Sequence, residues 1–280
     1  MNNRLPMLES ERRDRAKNWR MVGSVVLLAA AVLWWFSPKG PNSVNPGFCN
    51  DPPTDIPQTV VLVDATDSWS ALRQMIVENQ VMESLSPQRN IVVYPVEPGT
   101  NESVRPGYIF SKCNPGNFDQ LLSAKGFNPD SWYSGFIGNR ELIDGRYEEF
   151  KREFSDAVIG VALGDPMATS PIMETLRWGA VNANSGSDNP LEVLIISDML
   201  QNSPAMSFYG GEADISPESA RRLADLSMLG SRELQGAKVD VYHLSADIPN
   251  GFSVQDVLEF WELYLNHQGG AAILSRHRVD

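Results

Sequence analysis

Apolar and polar positions along the chain follow two alternating patterns. Continuous apolar runs rich in β-branched residues, such as residues 59–63, are typical of strands buried on both faces of a sheet. Segments whose apolar residues recur at helical spacing, such as residues 69 to about 85, predict helices that bury one side. By the same patterns, we predict strands at residues 91–96, 108–113, 191–197 and 239–244 and from 271 onwards, and helices at residues 118–125, 141–161, 171–183, 217 to about 234 and 254–266.

The order of these elements indicates the fold class. Strands that alternate with helices predict an α/β fold with a doubly wound, mostly parallel sheet and helices on both faces, as in Rossmann-like domains. Residues 58–280 are numerous enough to form this domain around a real core. Ligands of such sheets bind beyond the carboxyl ends of the strands, so the candidate chemistry is expected directly after each strand.

Residues 21–36 form a long uncharged apolar run. As a helix they would rise about 24 Å, which is short for a hydrocarbon core of about 30 Å. Trp19 on one side and Trp34 on the other are placed to lie at the membrane interfaces. We therefore predict one N-terminal transmembrane helix, not a cleaved signal peptide, because no small-x-small cleavage pattern follows the run. A buried globular helix is the alternative, but this run is apolar on every face.

Charge predicts the orientation and location of the chain. Six Lys and Arg residues precede the apolar run, so the tail at residues 1–20 is expected in the cytoplasm. A proline-rich linker at residues 37–57 then leads to an extracytoplasmic domain at residues 58–280, periplasmic if the membrane is a bacterial inner membrane. Of the 23 basic and 35 acidic residues, seven and three lie within residues 1–40, which leaves the rest of the chain with a net charge of −16. Such an acidic domain repels polyphosphates, so we expect no nucleic acid ligand.

The chain has two cysteines, Cys49 and Cys113. Two cysteines are too few for a zinc ribbon or a disulfide-rich scaffold. In an extracytoplasmic domain they are candidates for one disulfide bond, and two buried free thiols are the alternative. Both interpretations stay open at the level of sequence.

Oxygen-bearing side chains follow two of the predicted strands and precede one predicted helix. Carboxylates and hydroxyls together suit a hard cation such as Mg²⁺ or Mn²⁺. Because the carboxyl ends of parallel strands meet at one edge of a sheet, these side chains are expected to converge there. With few protein carboxylates, the metal would keep an open position for a carboxylate from a partner. The candidate metal ligands are Asp64, Thr66, Ser68, Thr169 and Asp198.

The first three of these residues carry a resemblance to a known family. Asp64, Thr66 and Ser68 stand in the spacing Asp-x-Ser-x-Ser directly after the first predicted strand, with Thr in place of the first Ser. This pattern, and the order of strands and helices over residues 58–278, resemble a von Willebrand factor A-type domain with a metal-ion-dependent adhesion site. The exchange of Thr for Ser keeps the hydroxyl group.

Two later positions extend the resemblance. The family places a Thr on a loop before a helix, which Thr169 matches, with Ser170 directly after it. It also places an Asp after the fourth strand, usually followed by Gly, and here Asp198 is followed by Met199. The resemblance implies a protein-binding module, not an enzyme, in which a divalent cation binds an acidic side chain of a partner protein. It also implies that Asp64 and Asp198 reach the cation partly through bound waters.

Other interpretations of the same residues stay open. Asp or Ser after a strand often caps the next helix, and Asp67 or Ser68 could serve in this way. A metal-free fold of this kind would act as a scaffold subunit of an envelope complex. A metal-dependent hydrolase or phosphatase could use the same strand-end pocket. The haloacid-dehalogenase type, however, needs a second Asp where Thr66 stands.

Overall fold

The computed structural model describes residues 57–64, 79–97, 107–123, 140–163, 169–183, 191–211, 213–227, 234, 236–244, 246–268 and 273–279. The chain divides into two compact units, Met1–Val44 and Asn45–Asp280, and the described residues all belong to the second. The predicted transmembrane helix at residues 21–36, the tail before it and nearly all of the linker after it lie outside the described residues. Within the described ranges, no helix is both long and apolar enough to cross a membrane.

One sheet of six strands forms the centre of the second unit. Its strands are β1 (Gln58–Asp64), β2 (Asn90–Val96), β3 (Phe110–Cys113), β4 (Glu192–Ser197), β5 (Lys238–Leu244) and β6 (Ile273–Val279). They lie in the order β3-β2-β1-β4-β5-β6. Neighbouring strands are parallel except β3, which pairs antiparallel with β2 at one side of the sheet. The predicted α/β class with a mostly parallel sheet is therefore confirmed.

Helices flank this sheet. They are α1, of which residues 79–84 are described, α2 (Phe118–Ser123), α3 (Arg140–Ala162), α4 (Ile172–Ala183), α5 (Pro217–Ser227) and α6 (Val254–His267). The prediction that the helix starting at Pro217 continues to about Leu234 is wrong, because Leu234 lies in a turn. Leu234 is apolar because it is buried in the core, although it does not lie in the helix. Its position continues the helical spacing of apolar residues, and this made the predicted helix too long.

Helices cover both faces of the sheet. Val60 and Leu62 of β1 belong to a core cluster that includes residues of α4, α5 and α6. Val61 and Val63 belong to a second cluster, which includes residues of α1 and α3. Side chains alternate between the two faces along a strand, so a strand covered on both sides needs no polar face. This arrangement explains the continuous apolar run in β1.

Helix α4 approaches the sheet closely at Gly179. A Cβ atom on Gly179 would lie 2.8 Å from Val60 Cγ1 and 3.6 Å from Tyr94 Cδ2. The absence of a side chain lets the backbone of α4 pack directly on β1 and β2. Close packing therefore holds α4 against β1, the strand that ends at Asp64.

Ser253 and Asp256 define the beginning of α6. Ser253 Oγ accepts a hydrogen bond from the Asp256 N–H at 3.2 Å, and the Ser253 N–H donates to Asp256 Oδ2 at 2.7 Å. This capping box satisfies two backbone N–H groups that the helix itself leaves without partners. Hydrogen bonds from the backbone N–H and then the hydroxyl of Ser253 lower the pKa of the Asp256 carboxyl.

Candidate functional site

The carboxyl ends of β1 and β4 lie side by side at one edge of the sheet, which we call the C-terminal edge. In the parallel register Val63 is opposite Ile196, so Asp64 and Ser197 stand level at the two strand ends. The chain leads from β1 to α1 on one face and from β4 to α5 on the other. Doubly wound sheets bind ligands in the crevice at such a switch point.

Asp64 is the centre of a buried hydrogen-bond network at this edge. Ser170 Oγ and Ser197 Oγ each donate to Asp64 Oδ2 at 2.8 Å. All three residues are buried, and Asp64 is only 3% exposed. A hydrogen bond to a charged group contributes about 1.5–3 kcal/mol. The carboxylate of Asp64 therefore joins β1, β4 and the segment before α4.

The turn after β4 places Asp198 directly beside this network. Asp198 Oδ1 accepts from the Leu200 N–H at 2.8 Å, and the Met199 N–H donates to Ser197 Oγ at 2.8 Å. Met199 has a φ of 64°, in the left-handed region. A residue with a Cβ atom pays about 1–2 kcal/mol for that conformation, whereas glycine adopts it freely. The pattern that the sequence resembles usually has glycine at this position, and here methionine adopts the left-handed conformation.

Several contacts hold Met199 in this conformation. Trp261 Nε1 donates to the Met199 carbonyl oxygen at 2.7 Å, and the Gln201 N–H donates to the same oxygen at 3.1 Å. The Met199 side chain is itself fully buried in the core. The turn is thus held from helix α6, from the following loop and from the core.

The loop that follows the turn is bound to the start of α4. The backbones of Ser170 and Asn202 exchange two hydrogen bonds of 2.9 Å. Gln201 Oε1 accepts from the Met173 N–H at 3.0 Å, and Gln201 Nε2 donates to Glu174 Oε2 at 2.9 Å. Gln201 is fully buried, and its hydrogen bond with the Met173 N–H is protected from water. These hydrogen bonds fix the position of Ser170 relative to the turn at Asp198.

The structure describes three of the five candidate metal ligands. Asp64 and Asp198 lie at the C-terminal edge, and Thr169 is half-buried directly before Ser170. The hydroxyl that donates to Asp64 belongs to Ser170, the neighbour of the residue that the family pattern selects. Outside the described residues lie Thr66 and Ser68. Metal ligation by any of the five stays a prediction.

Ser197 is a member of the network that sequence reasoning missed. As the last residue of a predicted strand, it carries no local sign of a role. The parallel register provides the missing signal, because residues paired across parallel strands point to the same face of the sheet. The residue level with Asp64 on the neighbouring strand is Ser197, so the two side chains meet.

The side chains at the C-terminal edge fit a hard divalent cation by their chemistry. Asp64 and Asp198 offer carboxylates, and Ser170 and Ser197 offer hydroxyls, which suit Mg²⁺ or Mn²⁺ better than metals that prefer thiolates. Among the described residues, no three His, Cys, Asp or Glu side chains form a group that could hold a metal. A cation bound by this set would complete its coordination with hydroxyls and water, as Mg²⁺ commonly does.

A different polar cluster lies at the opposite, N-terminal edge of the sheet. Arg89 Nε is 2.9 Å from Thr59 Oγ1 and 3.3 Å from Glu192 Oε2. Ser86 Oγ donates to Glu192 Oε1 at 3.1 Å. Burial lowers the pKa of Arg89, and the adjacent Glu192 carboxylate acts in the opposite direction. At this edge, a carboxylate is paired with a guanidinium.

Cys113 also lies at the N-terminal edge, paired with Asn90 in the antiparallel register of β3 and β2. Cys113 is disulfide-bonded. Cys49 is the one other cysteine of the sequence, and it lies outside the described residues. The pairing of Cys49 with Cys113 therefore stays a prediction.

No family model and no curated protein matches this chain. Among solved structures, the pilus adhesin SpaC from Lactobacillus rhamnosus GG is 13% identical with a TM-score of 0.40, and the match covers 80% of this chain but 28% of the adhesin. An aerotolerance-related membrane protein from Bacteroides fragilis NCTC 9343 is 11% identical with a TM-score of 0.34, covering 80% of this chain and 92% of that one. The conserved hypothetical protein BatB from Bacteroides thetaiotaomicron is 13% identical with a TM-score of 0.34, covering 80% and 90%. Similarities this weak carry no argument about the function of this chain.

Proposed function

We propose that this chain is a membrane-anchored, extracytoplasmic protein-binding module with a von Willebrand factor A-type domain. Residues 21–36 anchor it in a membrane, a bacterial inner membrane in our proposal, with residues 1–20 in the cytoplasm. At the C-terminal edge of the sheet, a divalent cation, Mg²⁺ or Mn²⁺, accepts an acidic side chain of a partner protein. The module is not an enzyme in this proposal.

The observation that carries the proposal is the convergence of Ser170 and Ser197 on Asp64, at 2.8 Å each. A serine hydroxyl has one proton to donate and two lone pairs. When the proton is directed to Asp64, the lone pairs of the oxygen point in other directions, as a cation ligand must. Ser197 Oγ keeps one lone pair for a cation, since it also accepts from the Met199 N–H. The network also fixes the carboxylate, so binding a cation costs little further ordering of the protein.

The sequence pattern supports the same site independently of these hydrogen bonds. Asp64 ends β1, Thr66 and Ser68 come after it in the spacing of the adhesion motif, and Asp198 follows β4. We assign Asp64, Ser68 and Asp198 to hold the cation, the two aspartates partly through waters, with Thr66 and Thr169 nearby. Ser170, which donates to Asp64, joins this set as a further hydroxyl.

Thermal unfolding of the full-length protein tests whether a divalent cation binds at this site. Mg²⁺ or Mn²⁺ at 100 times the dissociation constant should stabilise the folded state by about 2.7 kcal/mol relative to EDTA. Asp64→Asn keeps an oxygen that accepts the serine hydroxyls but removes the charge, so the cation-dependent shift should disappear. Glu192→Gln, which removes a carboxylate charge at the opposite edge, should keep the shift. An equal shift in Asp64→Asn and in the unchanged protein would contradict the proposal.

A metal-free scaffold subunit of an envelope complex is the second candidate. The same network favours it, because the hydroxyls of Ser170 and Ser197 tie β1, β4 and the start of α4 together through protein groups. This candidate predicts no cation-dependent shift in unfolding temperature under any of the conditions above. It also predicts that binding of a partner, once one is found, is insensitive to EDTA.

A further inference from the structure

We propose that Trp261 is a positioning residue of the cation site, which it serves by holding the turn of Asp198 and Met199 from helix α6. The proposal rests on the cation binding proposed above and adds a residue that belongs to no part of the adhesion motif. Trp261 lies 62 positions after Met199 in the sequence, yet its indole nitrogen is 2.7 Å from the Met199 carbonyl oxygen.

The contact of Trp261 is directional and fully buried. The indole N–H can only donate, and Trp261 is 0% exposed, so the N–H cannot bond to water. It donates to the Met199 carbonyl oxygen instead. Rings of Phe260 and Tyr264 pack against the indole at centroid distances of 6.2 and 5.4 Å, which fixes the ring itself. Trp261 is therefore a rigid donor aimed at one carbonyl group.

The turn at Met199 needs such a support because its conformation is unfavourable for a methionine. The φ of 64° is in the region that favours glycine. Without the hydrogen bond from Trp261, the Met199 carbonyl keeps only the longer one from the Gln201 N–H, and Met199 gains by relaxing to a negative φ. That relaxation rotates the adjoining peptide groups, and with them the Leu200 N–H that holds Asp198 Oδ1 at 2.8 Å. The carboxylate of Asp198 then loses its fixed orientation.

The same change reaches Asp64 through one hydroxyl group. The Met199 N–H donates to Ser197 Oγ, and Ser197 Oγ donates to Asp64 Oδ2, each at 2.8 Å. Rotation of the Met199 backbone therefore alters a hydrogen bond that orients the Ser197 hydroxyl. Trp261 thus acts on both aspartates of the proposed site, although it ligates nothing itself.

The test is a titration of the full-length protein with Mn²⁺, in which electron paramagnetic resonance measures the free ion. Trp261→Phe keeps an aromatic ring in the core but removes the N–H. We expect it to weaken Mn²⁺ binding about tenfold, the lower range for loss of a group that orients metal ligands. The titration is performed well below the unfolding temperature of every variant, so that lost stability does not appear as lost affinity.

Two variants on the same helix serve as matched controls. Tyr264→Phe removes a hydroxyl that accepts from Gln268 Nε2 at 3.0 Å but keeps the ring, and Leu265→Ala removes side-chain volume from the same core. Both should lower the unfolding temperature in EDTA and leave the Mn²⁺ affinity unchanged. Trp261→Phe combined with Met199→Gly should recover most of the affinity, because glycine adopts a positive φ without support.

Three results would overturn the inference. One is an unchanged Mn²⁺ affinity in Trp261→Phe. Another is an equal loss of affinity in Leu265→Ala or Tyr264→Phe, which would make Trp261 one core residue among others. The third is the absence of Mn²⁺ binding in the unchanged protein, which would also remove the proposed cation site and is thereby distinguished from the first two.

Discussion

The two edges of the sheet differ in the groups that contact a carboxylate. At the C-terminal edge, Asp64 Oδ2 accepts hydrogen bonds of 2.8 Å from the hydroxyls of Ser170 and Ser197. At the N-terminal edge, Glu192 Oε2 lies 3.3 Å from the guanidinium of Arg89. Hydroxyls orient a carboxylate without adding positive charge, whereas a guanidinium both orients and neutralises it. The hydroxyl arrangement suits a cation site, and the ion pair with a guanidinium suits a structural contact between strands.

Each edge contains a residue other than glycine in the left-handed region, Met199 at the C-terminal edge and Gln88, next to Arg89, at the N-terminal edge. The C-terminal edge contains Met199 in the left-handed region, held by Trp261 and by the following loop. Strained conformations of this kind persist where the surrounding structure over-determines them, and they cluster at functional sites. What distinguishes the N-terminal edge is a covalent link, the disulfide bond of Cys113. The contacts at the C-terminal edge orient Asp198 and Met199, whereas the N-terminal edge combines an ion pair with a covalent cross-link.

The largest effect is expected from removing the disulfide bond at the N-terminal edge. If Cys49 is the partner, the bond closes a loop of roughly 65 residues, which the loop-entropy model values at about 4 kcal/mol. Cys113→Ser should lower the free energy of unfolding in urea by this amount and leave any cation-dependent shift unchanged. Cys49→Ser should cost the same, and the double variant no more. Additive losses in the double variant would disprove the pairing.

The next largest effect compares how much the interactions of Asp64 and of Glu192 contribute to the free energy of unfolding. Asp64→Ala should cost about 3 kcal/mol in EDTA, because it leaves two buried hydroxyls without their acceptor. Arg89→Met should cost about 2 kcal/mol, since Glu192 is part-exposed and water replaces some of the lost interaction. Urea unfolding of both variants measures the difference. A smaller loss in Asp64→Ala than in Arg89→Met would show that the serine network contributes little to stability.

A smaller effect tests the packing of α4 beneath the C-terminal edge. Gly179→Ala should cost about 1–3 kcal/mol, because its Cβ atom would lie 2.8 Å from Val60 Cγ1. Gly145→Ala makes the same exchange in α3, where a Cβ atom meets nothing within 4 Å. It should stabilise the protein by about 0.5–1 kcal/mol through helix propensity. Equal effects of the two exchanges on unfolding in urea would contradict the close approach of α4.

The smallest effect concerns the start of α6, the helix that carries Trp261. Hydrogen bonds from Ser253 lower the pKa of Asp256 in the folded state, so its contribution to stability is present above the unfolded pKa of about 4 and is lost as pH falls through the folded pKa. Asp256→Asn should therefore lower the unfolding temperature at pH 6, and the deficit should shrink as pH falls below about 4. A deficit that stays constant over this range would mean that the charge of Asp256 does not support the cap.

Local patterns were sufficient to predict most of the fold. The apolar run of β1 is a property of neighbouring residues, and burial on both faces leaves a strong signal in it. Asp64 and Asp198 were also predictable, because the residue that directly follows a strand lies at the carboxyl edge by geometry alone. The helix end at Ser227 was not, since Leu234 is apolar for a tertiary reason.

The contacts that complete the candidate site depend on residues far apart in the sequence. Ser197 meets Asp64 across 133 positions, through a strand register that no local pattern reveals. From its spacing, Trp261 is an ordinary core residue of an amphipathic helix. The sequence does not show that its N–H donates to the Met199 carbonyl oxygen, which only the structure reveals. The left-handed backbone at Met199 is equally hidden, because methionine is a residue for which that conformation is unexpected.

The most direct test of the central claim is calorimetric titration of the full-length protein with Mn²⁺, beside the Asp64→Asn and Glu192→Gln variants. We expect one binding site per chain, competition by Mg²⁺, loss of binding in Asp64→Asn and unchanged binding in Glu192→Gln. Binding that survives in Asp64→Asn would place the cation elsewhere. No binding to the unchanged protein would contradict the cation site and leave the metal-free scaffold as the better account of the serine network.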